Sequence, residues 1–241
     1  MVNRLRIASG EQIQRVCFAD LGEGRSRVVS RSRVVARLVS WRVLMPLERR
    51  IGGAERGSSA GVYALDTAGA RLLARSQLAD GERVRVRRPG TPVERTMRHM
   101  LAVSELYVRL VETARRDGFG LREFKSEPGC YWPNGVGGLV KPDAYVRLVR
   151  DQVEDHWWIE HDEATESLPT VRRKLEAYLS FWNRGQLGPG GVMPRVLVSA
   201  VTAARAKAIN ATLPRGPEAE KIFAVVESQR AAEHMEEILL E

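Results

Sequence analysis

The sequence predicts an α+β protein in two parts: a small arginine-rich module ending in a hairpin, then a larger α/β domain built on a central mixed sheet. Three observations carry this reading. Positive charge is segregated to the first part, the first part runs helix, helix, hairpin, and the second runs helix, three strands, helix, strand. Residues 1–97 hold 19 Arg, no Lys and 9 acids, a net of +10, whereas residues 98–241 hold 19 basic and 21 acidic side chains, a net of −2. A basic module beside a near-neutral one locates nucleic-acid affinity in the first; free use of arginine by a GC-rich genome would give the same excess. A length of 241 residues suits one large or two small domains. The expected division is 1–79, a basic linker at 80–97, and 98–241.

The first module opens with a short helix near 9–18. Ser9 is placed to cap it, with Gln12 three residues on as in a capping box, and Ile13, Val16 and Cys17 fall on one face. A second helix is predicted over 25–41. Val28, Val35 and Val39 line one side of it, and Ser26, Ser30, Arg33 and Arg37 the other. An apolar stripe opposed by guanidinium forks and small hydroxyls suits a recognition helix, whose outer face reads phosphates and base edges. An ordinary solvated face would show the same pattern. The neighbouring segment favours the recognition helix, because strands near 43–51 and 59–66 flank a glycine-rich tip. That order is the winged helix-turn-helix pattern, with Arg49, Arg50 and Arg56 on the wing within reach of phosphates. A helix from Thr67 closes the module. The linker, rich in Arg and Pro, reads as a spacer, a phosphate-contacting arm, or both.

The second part starts with an amphipathic helix at 99–116 and a strand at 121–127. A glycine-punctuated turn at 131–138 leads into a strand that runs on through Pro142 and Asp143 to about 149. After a turn at Asp151 comes a strand from Trp157 to Asp162. A helix comes next, capped by Ser167, carrying Pro169 in its first turn and burying Val171, Leu175, Tyr178 and Trp182. A core strand at 193–200 and two helical segments complete the chain. This is the element order of a restriction-endonuclease-like α/β domain with a central mixed sheet.

Chemistry on such a core needs carboxylates converging on a metal that activates water and neutralises charge on the scissile phosphate. Asp143 and Glu160, on adjacent strands, are the candidate metal ligands, and one or two carboxylates suffice for Mg²⁺ or Mn²⁺. The usual second motif is Asp/Glu-x-Lys. Here it is Glu160-His161-Asp162, so the lysine is absent from its customary place and Lys174, one turn before Tyr178, is the candidate substitute. The candidate catalytic set is therefore Asp143, Glu160, Lys174, Asp162 and Tyr178. If the domain is not catalytic, no cofactor is expected. His161 and Asp162 are alternatively proton-transfer groups or partners in local hydrogen bonds.

Four segments carry a resemblance: Gly61-Val-Tyr-Ala-Leu-Asp-Thr-Ala-Gly-Ala, His99-Met-Leu-Ala-Val-Ser-Glu-Leu-Tyr, Leu139-Val-Lys-Pro-Asp-Ala-Tyr-Val, and the stretch from Glu160-His-Asp-Glu through Arg-Arg-Lys174-Leu-Glu-Ala-Tyr178. Through them the chain resembles the replication-relaxation family of actinobacterial plasmids and mobile elements. The resemblance implies a winged helix joined to a nuclease-like domain of the PD-(D/E)XK type, acting in plasmid replication or transfer. By analogy with the wider nuclease superfamily, Asp143 and Glu160 map onto the metal carboxylates, and Lys174 and Tyr178 fall where some relatives carry Gln-x-x-x-Tyr. The expected partners are double-stranded DNA, a second copy of the chain, and plasmid replication or transfer proteins. The rival expectation is a non-catalytic DNA-binding regulator that uses the same fold for dimerisation or strand binding.

Cys17 and Cys130, the only cysteines, have no metal-ligand spacing and lie in or near apolar runs, so two buried free thiols are expected. No signal peptide and no apolar run near 18 residues is present, which predicts a cytoplasmic protein without a membrane partner.

Overall fold

The computed structural model describes residues 1–22, 24–48, 61–75 and 88–240. They form two compact units, Met1–Val108 and Arg109–Glu241. No helix among the described residues is long and apolar enough to cross a membrane.

The first unit runs α1 (Val2–Leu5), β1 (Ile7–Ser9), α2 (Gly10–Cys17), α3 (Arg25–Ser40), β2 (Leu44–Leu47), β3 (Val62–Leu65), α4 (Thr67–Arg75) and the start of α5 (Glu94–Asp117). Its sheet is antiparallel with order β1-β3-β2. Pro46 lies on the edge strand β2, where a missing N–H costs no ladder bond. Ser9 caps α2 in a complete capping box with Gln12, satisfying donors that a helix start leaves open. One apolar group joins Ile7, Met45, Leu47, Val62 and Ala64 of the sheet to Met97 and Met100 of α5. A second joins Val2, Ala8, Ile13, Val35 and Leu44. At Gly69 a Cβ would lie 2.5 Å from the Val43 carbonyl oxygen, so only glycine lets α4 start this close to β2.

Several expectations shift here. The segment α1–β1 carries no signal in the sequence, because three- and four-residue elements are too short to show a period. Helix α5 begins at Glu94, so 94–97 are helical rather than part of the linker. Pro92 stops just short of the helix, Glu94 suits its positive end, and burial of Met97 holds the first turn. Cys17 is exposed rather than buried. On α3 the inward side centres on Arg31 and Val35, and Val28 is exposed. The wing tip and Arg49, Arg50 and Arg56 lie outside the described residues.

The second unit takes the last turns of α5, then β4 (Gly120–Ser126), β5 (Trp132–Pro133), β6 (Leu139–Val140), β7 (Ala144–Arg150), β8 (Val153–Asp162), α6 (Leu168–Asn183), β9 (Arg195–Ala200), α7 (Ala203–Asn210), α8 (Pro217–Ile222), β10 (Phe223–Glu227) and α9 (Ala231–Leu240). The mixed five-stranded sheet has order β10-β9-β8-β7-β4. Strands β4, β7 and β8 pair antiparallel, while β9 and β10 add in parallel. Buried Tyr145, Trp158, Val196 and Val198 of the sheet pack with Val171, Leu175, Tyr178 and Phe181 of α6 and with Ala206 and Ile209 of α7. On Trp157, whose side chain alternates to the other face, sits His234 of α9 in an edge contact at 6.2 Å.

The expected hairpin of 139–148 with 157–162 is present as β7–β8, closed by Asp151 at a positive φ of 53°. The run through Pro142 is broken, however. Strand β6 pairs only with β5, in a separate two-stranded ribbon, and 141–143 have no strand structure. Proline has no N–H to donate to a ladder, and the Pro142 carbonyl instead accepts from the Cys130 thiol at 2.9 Å. Trp182, expected in the buried stripe, is exposed, and Phe181 takes that core place instead. Strand β10 stands where a helical ending is expected; it is an apolar run too short for periodicity to separate strand from helix.

Candidate functional site

The site forms where β7 begins and β8 ends. The Asp143 N–H donates to the Ile159 carbonyl at 2.9 Å, and its carboxylate Oδ2 accepts the His161 N–H at 2.7 Å. Pro142 interrupts pairing just before Asp143, so the aspartate stands at a strand start with its side chain pinned across the neighbouring strand.

Glu160, two residues beyond Trp158 on β8, shares its face of the sheet, toward α6. Lys174 and Tyr178, four residues apart, share one face of that helix. The Tyr178 hydroxyl donates to Glu160 Oε1 at 2.5 Å. Lys174 Nζ lies 3.8 Å from Glu160 Oε2 and 2.9 Å from Glu166 Oε2. Burial, and then the neighbouring Asp143 charge, push the Glu160 carboxyl up to about 8, against the pull of Lys174 and the Tyr178 hydrogen bond. Tyr178 is raised well above its ordinary value by burial and by the Glu160 charge. Burial opposes the charge on Lys174, but Glu160 and Glu166 outweigh it and its pKa rises. Glu160, Lys174, Glu166 and Asp162 line a cleft with about 20 Å³ of room, together with His161, Val171, Leu175 and Val198.

Of the predicted catalytic residues, Glu160, Lys174 and Tyr178 meet directly, and Asp143 acts on them through its charge. Asp162 lines the same cleft but is engaged elsewhere. Arg205 grips it with Nε to Oδ1 at 2.7 Å and Nη2 to Oδ2 at 3.0 Å, and Oδ1 also accepts the Ala164 N–H at 2.9 Å. Burial favours the protonated acid, yet Arg205 and the Ala164 N–H hold Asp162 below the usual carboxylate range. The carboxylate at the lysine position of the expected motif is thus an anchor. The His161 ring, on the alternate face of β8, lies 3.4 Å from Ser199 Oγ.

Sequence reasoning missed Glu166 and Arg205, because neither stands at a motif spacing from its partner. It also missed Glu127, whose N–H donates to the Asp143 carbonyl at 3.0 Å and whose carboxylate accepts from Tyr131 at 3.0 Å. Cys130 lies nearby; burial pushes its thiol up to about 12, with the charges of Asp143, Glu127 and Glu160 adding to the effect.

Among the described residues no three His, Cys, Asp or Glu side chains group closely enough to hold a metal ion. The remaining donor set, Asp143 and Glu160, is all oxygen. It fits Mg²⁺ or Mn²⁺, which accept one or two carboxylates and complete their shell with water. It lacks the cysteine and histidine ligands of a structural zinc site.

In the first unit, Ser26, Arg33 and Arg37 are exposed on α3 and Ser30 is half-buried. The Arg37 guanidinium lies over the Trp41 ring at 5.2 Å, and Trp41 is 59% exposed. Arg27 and Arg31 turn inward: Arg27 Nη2 donates to the Gln14 carbonyl at 3.4 Å and Arg31 is buried.

A model of the replication-relaxation family matches residues 1–196. No curated protein and no solved structure matches the chain. With 1–196 of its 241 residues matched, the chain belongs to the replication-relaxation family.

Proposed function

We propose that this protein binds double-stranded DNA of a plasmid or mobile element, in replication or transfer, and that its second unit is a metal-dependent phosphodiesterase of the restriction-endonuclease-like kind. Membership of the replication-relaxation family supports the first part. For the second, the observation that counts most is the convergence of Tyr178 and Lys174 on a buried Glu160 beside Asp143. The element order α5-β4-β7-β8-α6-β9 supports the nuclease-like assignment, and α1-β1-α2-α3-β2-β3 with sheet order β1-β3-β2 supports a winged helix.

In this reading Asp143 and Glu160 hold Mg²⁺ or Mn²⁺. When bound, the ion supplies charge neutralisation at the phosphate and a more acidic water. Tyr178 holds Glu160 in one rotamer. Lys174 offers its ammonium to a non-bridging phosphate oxygen, where negative charge grows during displacement. Arg33 and Arg37 on α3, with Arg49, Arg50 and Arg56, grip the duplex backbone. Incubating the full chain with plasmid and linear DNA and Mg²⁺ or Mn²⁺ tests the proposal: the wild type cuts and Asp143→Ala does not. Absence of cutting, together with no calorimetric uptake of either ion, removes the catalytic part.

One observation favours the rival, a non-catalytic DNA-binding regulator that uses this fold for dimerisation or strand binding. Both oxygens of Glu160 already have partners in Tyr178 and Lys174, and both of Asp162 have Arg205.

A further inference from the structure

The cleft beside Glu160 has about 20 Å³ of room. That admits about one water molecule. A phosphodiester brings two non-bridging oxygens and a phosphorus atom, so an oxygen that reaches the Lys174 ammonium competes with the carboxylates already paired to it. Asp162 is buried and clamped on both oxygens, and Glu160 is buried against Tyr178. Two of the lining side chains with solvent access, Lys174, 46% exposed, and Glu166, 33% exposed, are paired with each other at 2.9 Å.

The strap that carries Glu166 is held at its backbone. Arg205 Nη2 donates to the Glu166 carbonyl at 2.6 Å, and the same guanidinium is forked onto Asp162. Ala164, at a positive φ of 58°, is fixed by its N–H to Asp162. Residues 163–166 therefore turn back tightly from the end of β8, and the part of Glu166 left free to move is its side chain.

We propose that Glu166 is an internal competitor of the substrate phosphate: its carboxylate occupies the Lys174 ammonium until a phosphate oxygen displaces it. The proposal rests on the reading of Lys174 as the phosphate contact. Displacement exchanges one anion for another at the same ammonium, so Glu166 raises the threshold for weak anions while a DNA backbone held elsewhere on the chain overcomes it.

The chain has five lysines, so each is resolved by peptide mass spectrometry after acylation, and the other four serve as references. The full chain is acylated in chelator, with increasing inorganic phosphate, as wild type, Glu166→Gln and Glu166→Asp. The expected result is that Glu166→Gln lowers the phosphate concentration that half-protects Lys174 by about two- to fivefold, the range open to a partly exposed pair, with Glu166→Asp between. Equal half-protection in wild type and Glu166→Gln overturns the proposal, as does phosphate protection that is absent in both. DNA cleavage is scored in parallel without bearing on this result. A shifted protection curve without cleavage keeps Glu166 as the competitor and removes the hydrolytic reading; cleavage with an unshifted curve does the opposite.

Discussion

The two units use charge in opposite ways. On α3, Arg33 and Arg37 project outward, and Arg37 rests on an exposed indole. In the second unit the charged groups point at one another: Lys174 at Glu160 and Glu166, Arg205 at Asp162, Asp143 at the His161 N–H. Outward cations keep their hydration, act through long-range attraction, and are weakened by salt. Inward groups are partly stripped of water, so their interactions are stronger and their pKa values move. In the proposed reading net charge points to the binding unit and mutual geometry to the chemistry, and the shifted Glu160, Asp162 and Lys174 lie together in the near-neutral unit.

The contrast is broken most severely at the inward site. Lys174→Ala should lower metal-dependent cleavage by roughly 10²–10³-fold, the usual cost of losing one donor aimed at developing charge. Cation affinity should change little, and calorimetry with Mg²⁺ beside single-turnover rates separates the two. A Lys174→Ala protein that cleaves at the wild-type rate would take this lysine out of the site.

Arg205→Ala comes next. It leaves Asp162 buried without its partner, and breaking such a pair costs about 3 kcal/mol or more. Thermal unfolding should show the loss at pH 7 and a smaller one near pH 3. The sign comes from Asp162, whose folded pKa is held low: its contribution is present above the unfolded value and disappears as pH falls through the folded one.

Glu160 runs the other way. Its folded pKa, about 8, lies above the ordinary 4.5. The native state then holds a proton that the unfolded chain has lost, so stability falls as pH rises from about 4.5 through about 8. Glu160→Gln keeps an acceptor for Tyr178 and carries no charge. It should flatten that decline and be the more stable of the two proteins near pH 8.5 in metal-free buffer. An unchanged slope of Tm against pH would show that Glu160 ionises normally.

Much of the inward site was legible because its pieces obey local rules. Ser167 and Pro169 announce the start of α6, which sets Lys174 and Tyr178 on one face, and strand alternation sets Glu160 opposite them. The Ser9–Gln12 capping box was legible for the same reason. What escaped depends on contacts between distant positions. Arg205 reaches Asp162 across 43 residues, and nothing in either segment marks the pair. Phe181 and Trp182 are adjacent apolar residues, and only the rotation of α6 against Trp158 decides that Phe181 goes inside, edge-on at 5.3 Å. On α3 the valines suggested one inward stripe, but packing buries Arg31 beside Val35 and leaves Val28 outside. Long side chains bury their stems while the head finds a partner, so Arg31 Nη2 donates to Ser32 Oγ at 3.2 Å.

The smallest expected effect belongs to the outward cations. Arg33→Ala with Arg37→Ala should reduce the slope of log affinity against log salt by about one unit per lost phosphate contact, with little change in Tm. Retention of the full slope would move the binding surface off α3.

The most direct test crosses these two kinds of variant. Duplex affinity at low salt and plasmid cleavage in Mg²⁺ are measured on Asp143→Ala and on the Arg33→Ala, Arg37→Ala double variant. The account predicts that Asp143→Ala binds as wild type and does not cut, while the double variant binds weakly and still cuts at saturating DNA. Cleavage that survives Asp143→Ala would contradict it.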